Sequence, residues 1–337
     1  MAQAVIMAGG QGERFWPLTH ARFPKYRIRF DRKHSLLQGT YRRLLKVYKK
    51  SDIYVVTTRH HLKMICQELP FLKKTRILIE PFRKNTAAAI FFSCAALAKK
   101  YGPDEVVSFF PADHLIQNEV LFKKTLRAAI QIASQKEMLV TLGITPAFPA
   151  TGYGYIQKGV KISGAGGAFK VKRFVEKPHR QKAVRYIRQK DFFWNAGIFT
   201  WRTGVFLETL RKQAPEIYTA LDLGRLAASY KKLPAISVDH AVLEKADNIA
   251  VLPTRMDWCD LGSWDALYDH YLIDKNKNYA EGFYYHKESK NSLLINQCST
   301  PLITLGISGL IVVQTPRGTL ICRRGRSEEA ALLLKKL

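Results

Sequence analysis

Residues 4–25 read AVIMAGGQGERFWPLTHARFPK, a short apolar run that empties into glycines at 9, 10 and 12 and is followed by Arg14 and Lys25. An apolar run of this length ahead of glycines reads as a buried strand entering a tight turn. Glycine lets such a turn bring its backbone N–H groups close to an anion. Arg14 and Lys25 add positive charge to the same loop. Neither of the two common phosphate loops fits. A dinucleotide fingerprint needs glycine where Phe15 stands, and a Walker loop needs Gly-Lys-Ser/Thr directly after its spacer, whereas Lys25 comes far later.

Outward from that loop, the runs DIYVVTT, RILIEP, VVSFFPADH and MLVTLGI alternate with amphipathic stretches. The alternation predicts a largely parallel α/β sheet. One intervening helix is well delimited: it is expected to start after Asn85-Thr86, run through AAAIFFSCAALAKK and stop at Gly102-Pro103. Beyond residue 145 the strands TGYGYIQKG, FKVKRFVEKP and NAGIFTWRT have less regular connections, which predicts a mixed sheet with an inserted lobe. After about residue 275 a polar connection leads to short β runs broken by Gly and Pro, so a main domain over 1–275 and a small β domain over 276–337 are expected.

The chain has 337 residues, 54 Lys and Arg against 27 Asp and Glu, and a net charge of +27. Such a balance raises nucleic acid or acidic membrane as partners. The basic residues fall in short pairs along the whole chain, such as Lys49-Lys50 and Lys73-Lys74, so no dedicated nucleic-acid site is expected. No basic stretch with an apolar core opens the sequence, and the longest apolar run, Ala87 to Ala98, is too short to span a bilayer. A cytoplasmic enzyme without a membrane partner is the expectation. Five cysteines, at 66, 94, 259, 298 and 322, lack CxxC spacing and read as reduced packing residues, Cys259 included.

The string GGQGERFWPLT followed by Phe23-Pro24-Lys25 resembles the signature GGxGxRLWPLS…PK of the sugar-1-phosphate nucleotidyltransferases. Its nearest likeness is to the branch that moves GMP from GTP to mannose-1-phosphate. The resemblance implies a Rossmann-like (GT-A-like) α/β fold with a left-handed β-helix-like C-terminal appendage that contributes to homodimerisation. It implies that Ala8, Gly9, Gly10 and Gly12 bind the nucleotide, that Arg14 holds the leaving pyrophosphate and that Lys25 holds the triphosphate. This chain departs from the signature at Phe15, Thr19 and Tyr26, the last standing where glutamine is usual.

The later motifs recur in the family's order. EPFRKNTAAAI resembles its base-bordering segment; guanine offers two adjacent donors, which suits Glu80 or the amide of Asn85, although both residues are equally placed to cap the helix that follows. FFPADH puts Asp113 at the end of a very apolar strand, where a carboxylate is costly unless it faces a cleft or a cation, and where open α/β sheets bind ligands. Asp260 in DWCDLGSW matches the family's second acidic position, so the resemblance pairs Asp113 and Asp260 around Mg²⁺. FVEKP brings Glu176 and Lys177 as contacts for sugar hydroxyls and the sugar phosphate, and Tyr153, Gly154 and Asn195 resemble the remaining sugar contacts. SVDHAVLEK resembles a string of the guanylyltransferase branch, but Asp239, Glu244 and Lys245 receive no role from chemistry alone.

The expected reaction is in-line attack of the sugar phosphate on the α-phosphorus of GTP. It needs no general base, because the nucleophile is already anionic and catalysis reduces to positioning and charge neutralisation. Two alternatives stand beside it. One keeps the fold and changes the substrates to a thymidylyl or uridylyl donor with glucose-1-phosphate. The other is a catalytically weakened relative whose basic surface binds a polyanion.

Overall fold

The computed structural model describes residues 2–10, 12–29, 33–220, 222–271 and 273–333. The chain forms two compact units, one of Met1–Gly9 with Leu37–Trp258, the other of Gly10–Leu36 with Cys259–Leu337.

In the first unit the strands are β1 (Ala2–Met7), β2 (Ile53–Thr58), β3 (Ile77–Glu80), β4 (Val106–Pro111), the short β5 (Leu115–Ile116), β6 (Leu139–Ile144), β7 (Tyr155–Lys161), β8 (Phe169–Val175), β9 (Phe192–Arg202) and β10 (Ile249–Thr254), with the short β11 (Trp258–Cys259) beginning at its end. Nine of them make one sheet in the order β3-β2-β1-β4-β9-β6-β10-β8-β7. The β3-β2-β1-β4 part is parallel, as the alternation predicts. The β9 strand then runs antiparallel to both β4 and β6, which makes the sheet mixed. Val5 and Ile6 are fully buried because both faces of the sheet are covered, the usual setting of a parallel strand.

The helix between β3 and β4 spans Asn85–Tyr101, so it starts earlier than the sequence pattern predicts. The start is held by one local and one long-range bond. Asn85 takes φ 67°, its Oδ1 accepts from the Thr86 N–H at 2.8 Å, and Thr86 Oγ1 accepts from the Val238 N–H at 2.9 Å. Gly102, at φ 95°, ends the helix as expected. Against this helix lies an aromatic stack: Trp201, fully buried, is 4.8 Å from Phe206 and 5.6 Å from Phe199 between ring centroids, and its Nε1 donates to Cys94 Sγ at 3.4 Å.

In the second unit β12 (Tyr279–Gly282), β14 (Leu293–Asn296) and β16 (Leu310–Thr315) stack in parallel, and β13 (Tyr284–Lys287) lies parallel to β15 (Leu302–Leu305). Alternate strands pairing in this way make successive turns of a coil, closed by β17 (Gly318–Arg323) antiparallel to β16. Leu293, Leu294, Ile311 and Val313 fill it. Gly282, at φ 92°, has no room for a side chain, since a Cβ there would lie 1.8 Å from the Asn296 carbonyl oxygen. The segment after the glycine loop belongs to this unit: Trp264 Nε1 donates to the Trp16 carbonyl at 3.1 Å, and the Phe15 and Trp264 rings meet edge-on at 5.0 Å. Among the described residues no helix is long and apolar enough to cross a membrane.

Candidate functional site

The loop begins as an extension of β1. The Ala8 N–H donates to the Val56 carbonyl at 2.9 Å, and the Ala8 carbonyl accepts from Thr57 Oγ1 at 2.7 Å. Gly9 then passes beside Glu80 at the C-terminal end of β3, where a Cβ would stand 3.8 Å from Glu80 Oε1. Glu80 does not cap the helix. It is buried and accepts a hydrogen bond from the Tyr230 hydroxyl. Burial pushes its carboxyl up to about 7, with the Tyr230 hydrogen bond opposing the shift. Asn85, exposed, bonds its own helix start through Oδ1.

The raised carboxyl has a thermodynamic consequence. Between the ordinary value of 4.5 and about 7 the folded state keeps a proton that the unfolded chain has lost, so stability falls as pH rises through that window. Asp239, raised from 3.8 to about 7, acts in the same sense. Glu80→Gln is therefore expected to weaken the fall of stability between about pH 5 and about pH 8 in urea titrations. An unchanged loss would mean that Glu80 titrates as a solvated carboxylate.

Asp113 follows β4 by two residues, in a turn held from the opposite side by the helix Leu36–Leu44. Arg43, buried, donates to the carbonyls of His114 at 3.1 Å and Ile116 at 3.4 Å, while Thr40 Oγ1 donates to the Ala112 carbonyl at 3.4 Å. Burial lowers the Arg43 guanidinium to about 10, which leaves it charged at neutral pH. His114 Nδ1 meets Trp258 Nε1 at 3.1 Å, so the turn is pinned on this side too.

The sugar-side residues converge in the same unit. The Gly154 carbonyl accepts from the Asn195 N–H at 2.8 Å, and a Cβ on Gly154 would lie 2.7 Å from Glu176 Oε2, so a side chain here would displace the Glu176 carboxylate. Lys177 pairs with Glu176 at 2.5 Å; its side chain is 54% exposed and that of Glu176 7%, which leaves the ammonium open to an incoming anion. The Tyr153 ring packs 5.1 Å from Trp194 and 5.2 Å from Trp258. An aromatic wall beside a set of hydrogen-bonding groups is a common lining of small-molecule sites.

Two residues without a role in the sequence reading join this cluster. Asn195 Nδ2 donates to Asp239 Oδ1 at 3.0 Å, and Glu244 Oε1 accepts from the Glu176 N–H at 2.9 Å while Oε2 meets His240 Nδ1 at 2.9 Å. Asp239 keeps some accessible surface, but its carboxyl is walled in; desolvation first, and the nearby Glu176 charge second, push it up to about 7. It opens a π-helical turn, Asp239–Leu243, a rare geometry that recurs at functional sites. The SVDHAVLEK string was the available signal, but nothing local to it names Asn195 or Glu176 as partners.

In the second unit, Gly12 takes φ 73° and a Cβ there would stand 2.4 Å from Lys25 Cβ. Lys25 Nζ donates to the Asp260 carbonyl, and Arg14 Nη1 donates to the Gly262 carbonyl at 3.4 Å. Gly262 in turn approaches both the Asp260 carboxylate and Arg14, with its Cβ position 3.0 Å from Asp260 Oδ2 and 3.3 Å from Arg14 Nη1. Two cations and one carboxylate are thus gathered at one place by backbone carbonyls. Gly10 also belongs to this unit and is open, with nothing within 4 Å of a Cβ. Tyr26, the departure next to Lys25, is buried in the turn Lys25–Arg27. Cys259 and Cys94 are buried thiols, both pushed up to about 12 by desolvation and so neutral, as expected of packing residues.

The glycine loop that follows β1, with Arg14 and Lys25 on its continuation, points to a nucleotidyl transferase. The sequence profile of that family matches residues 3–277, and the chain belongs to it. It is 35% identical to a mannose-1-phosphate guanylyltransferase of Klebsiella pneumoniae and to one of Escherichia coli, in each case over 98% of this chain and 72% of the relative. A crystal structure from Thermus thermophilus, described as a mannose-1-phosphate geranyltransferase, is similar at a TM-score of 0.87 and 29% identity, covering 99% of this chain and 98% of that one.

Proposed function

We propose that the chain transfers GMP from GTP to mannose-1-phosphate, giving GDP-mannose and pyrophosphate. The observation that carries this reading is the 35% identity to mannose-1-phosphate guanylyltransferases over 98% of the chain. In this reading Ala8, Gly9, Gly10 and Gly12 line the triphosphate, and Glu80 and Asn85 face the base. Tyr153, Gly154, Glu176 and Asn195 hold the sugar, with Asp239 orienting Asn195. The Asn195–Asp239 and Glu176–Glu244 bonds support the sugar assignment, because they hold the Asn195 side chain and the Glu176 backbone in place before a ligand arrives.

One oxygen of the sugar phosphate attacks the α-phosphorus as the bond to the β-phosphate breaks, and the electron pair leaves with pyrophosphate. Lys177 brings in the sugar phosphate, Lys25 steadies the triphosphate and Arg14 takes up charge on the leaving group. Asp113 and Asp260 are the residues that would hold Mg²⁺, which when bound neutralises charge at the α-phosphate. The donor set fits a hard cation, since both are carboxylates.

Residues 1–275 make up the catalytic part in this reading, and 276–337 a left-handed β-helix-like appendage; the parallel stacking of β12, β14 and β16 supports a coil of that kind. Its outward Tyr285, Ile303, Leu305 and Ile321, each more than half exposed, support homodimerisation through this face. Five free thiols support the cytoplasm as its compartment.

The test is pyrophosphate release with Mg²⁺ across four nucleoside triphosphates, each paired with mannose-1-phosphate or glucose-1-phosphate. GTP with mannose-1-phosphate is expected to lead, and Asp113→Ala and Lys25→Ala to lose at least about a hundredfold. A lead for dTTP or UTP with glucose-1-phosphate would keep the reaction and overturn the substrates.

A further inference from the structure

Basic pairs that look scattered along the sequence meet in space at one edge of the sheet. Lys49-Lys50 precede β2, and Lys73-Lys74 with Arg76 precede β3, its parallel neighbour in register from Val55↔Ile77. Lys99-Lys100 end the helix Asn85–Tyr101, and that end is tied to β2: Tyr101 and Tyr54 share a hydroxyl bond at 2.7 Å, Arg76 donates to both hydroxyls, and Lys100 Nζ donates to Tyr54 at 3.1 Å. The three segments 49–52, 73–76 and 99–101 hold seven basic residues and one acid, Asp52. Further along the chain, Asp104 and Glu105 are engaged by Arg202 and Gln3.

Apolar groups stand out among these cations: Leu45, Phe71 and Tyr101 are 44%, 45% and 38% exposed. This edge lies at the N-terminal ends of β2 and β3, whereas Glu80 closes β3 and Asp113 follows β4 at the other end of the strands. We propose that it is a docking surface for an anionic phospholipid bilayer, which the enzyme touches without inserting a helix. Lysines beside a few exposed apolar side chains match a surface of phosphate headgroups over hydrocarbon. Six of the seven cations are lysines, point charges suited to a diffuse anionic plane, where bidentate reading would call for arginine. Single-stranded nucleic acid fits less well, because Lys50 lies over Phe71 at 5.2 Å and Lys100 over Tyr101 at 5.1 Å, on ring faces where bases would stack.

The experiment is co-sedimentation of the full chain with phosphatidylcholine vesicles, with and without phosphatidylglycerol, at several salt concentrations. The wild type is expected to bind only the phosphatidylglycerol vesicles, with binding lost at high salt. K49E/K74E/K99E takes one exposed lysine from each segment and is expected to bind about a hundredfold more weakly, with an unchanged thermal midpoint. K161E/K170E/K172E changes the net charge equally, at exposed lysines of β7 and β8, and is expected to bind like the wild type. No binding to anionic vesicles, or an equal loss in both triple variants, overturns the proposal. So does retention on poly(U), rather than on vesicles, that the first triple variant abolishes.

Discussion

Gly12→Ala is expected to lower turnover about a hundred- to a thousandfold while the protein still folds. Two effects act together. The residue sits at φ 73°, where a side chain costs about 1 to 3 kcal/mol. The new Cβ would also fall 2.4 Å from Lys25 Cβ and 3.1 Å from the Lys25 backbone nitrogen, so no rotamer change relieves it. The backbone at Gly12 has little freedom to retreat, since its carbonyl accepts from Thr19 Oγ1 at 2.6 Å and from the Phe15 N–H at 3.0 Å. Lys25 must therefore move, and its ammonium leaves the Asp260 carbonyl. With Lys25 in its proposed role at the triphosphate, loss of that one preorganised charge contact is worth this factor in rate. Gly39→Ala is the matched control, because Gly39 lies on the helix Leu36–Leu44 with nothing within 4 Å of its Cβ position. Turnover of Gly12→Ala within about tenfold of the wild type would separate the glycine loop from the placing of Lys25.

Trp201→Ala is expected to destabilise the protein by about 3 to 5 kcal/mol in urea unfolding. Trp201 has no exposed surface and stacks at 8° to Phe206 and 19° to Phe199, with Phe109 at 5.4 Å. Its indole N–H also has a partner in Cys94 Sγ, at the centre of the helix Asn85–Tyr101. Truncation opens a cavity between β9 and that helix which rigid aromatic neighbours on both sides fill poorly. A loss below about 1 kcal/mol would mean that Phe206 and Phe199 collapse into the space. Trp201 lies on β9, eleven residues long, whose other end carries Asn195, so the same strand serves core and site.

Much of this is legible before folding because it rests on local pattern. The apolar run into Gly9, Gly10 and Gly12 specifies a strand and a turn from side-chain size alone, and the parallel β3-β2-β1-β4 order follows from strands separated by helices. The helix Asn85–Tyr101 departs from its pattern only at its start, where a contact with Val238, distant in sequence, extends it. Asp239 and Glu244 are visible as part of a string but have no chemistry until Asn195 and Glu176 are placed beside them. The Glu80 carboxyl likewise owes its raised value to burial, and its hydrogen-bond partner Tyr230, which opposes that shift, is 150 residues away.

The division is physical. Elements, loop chemistry and family motifs can be read along the chain, since periodicity, glycine conformations and charge type are properties of neighbouring residues. Which distant groups meet is settled in three dimensions: residues 10–36 packing with the C-terminal coil, Arg43 holding the turn of Asp113, Asp239 behind Asn195, and three separate lysine pairs becoming one cationic edge. Burial and charge density are sums over neighbours in space, and the strand order that brings those neighbours together is set by long-range packing.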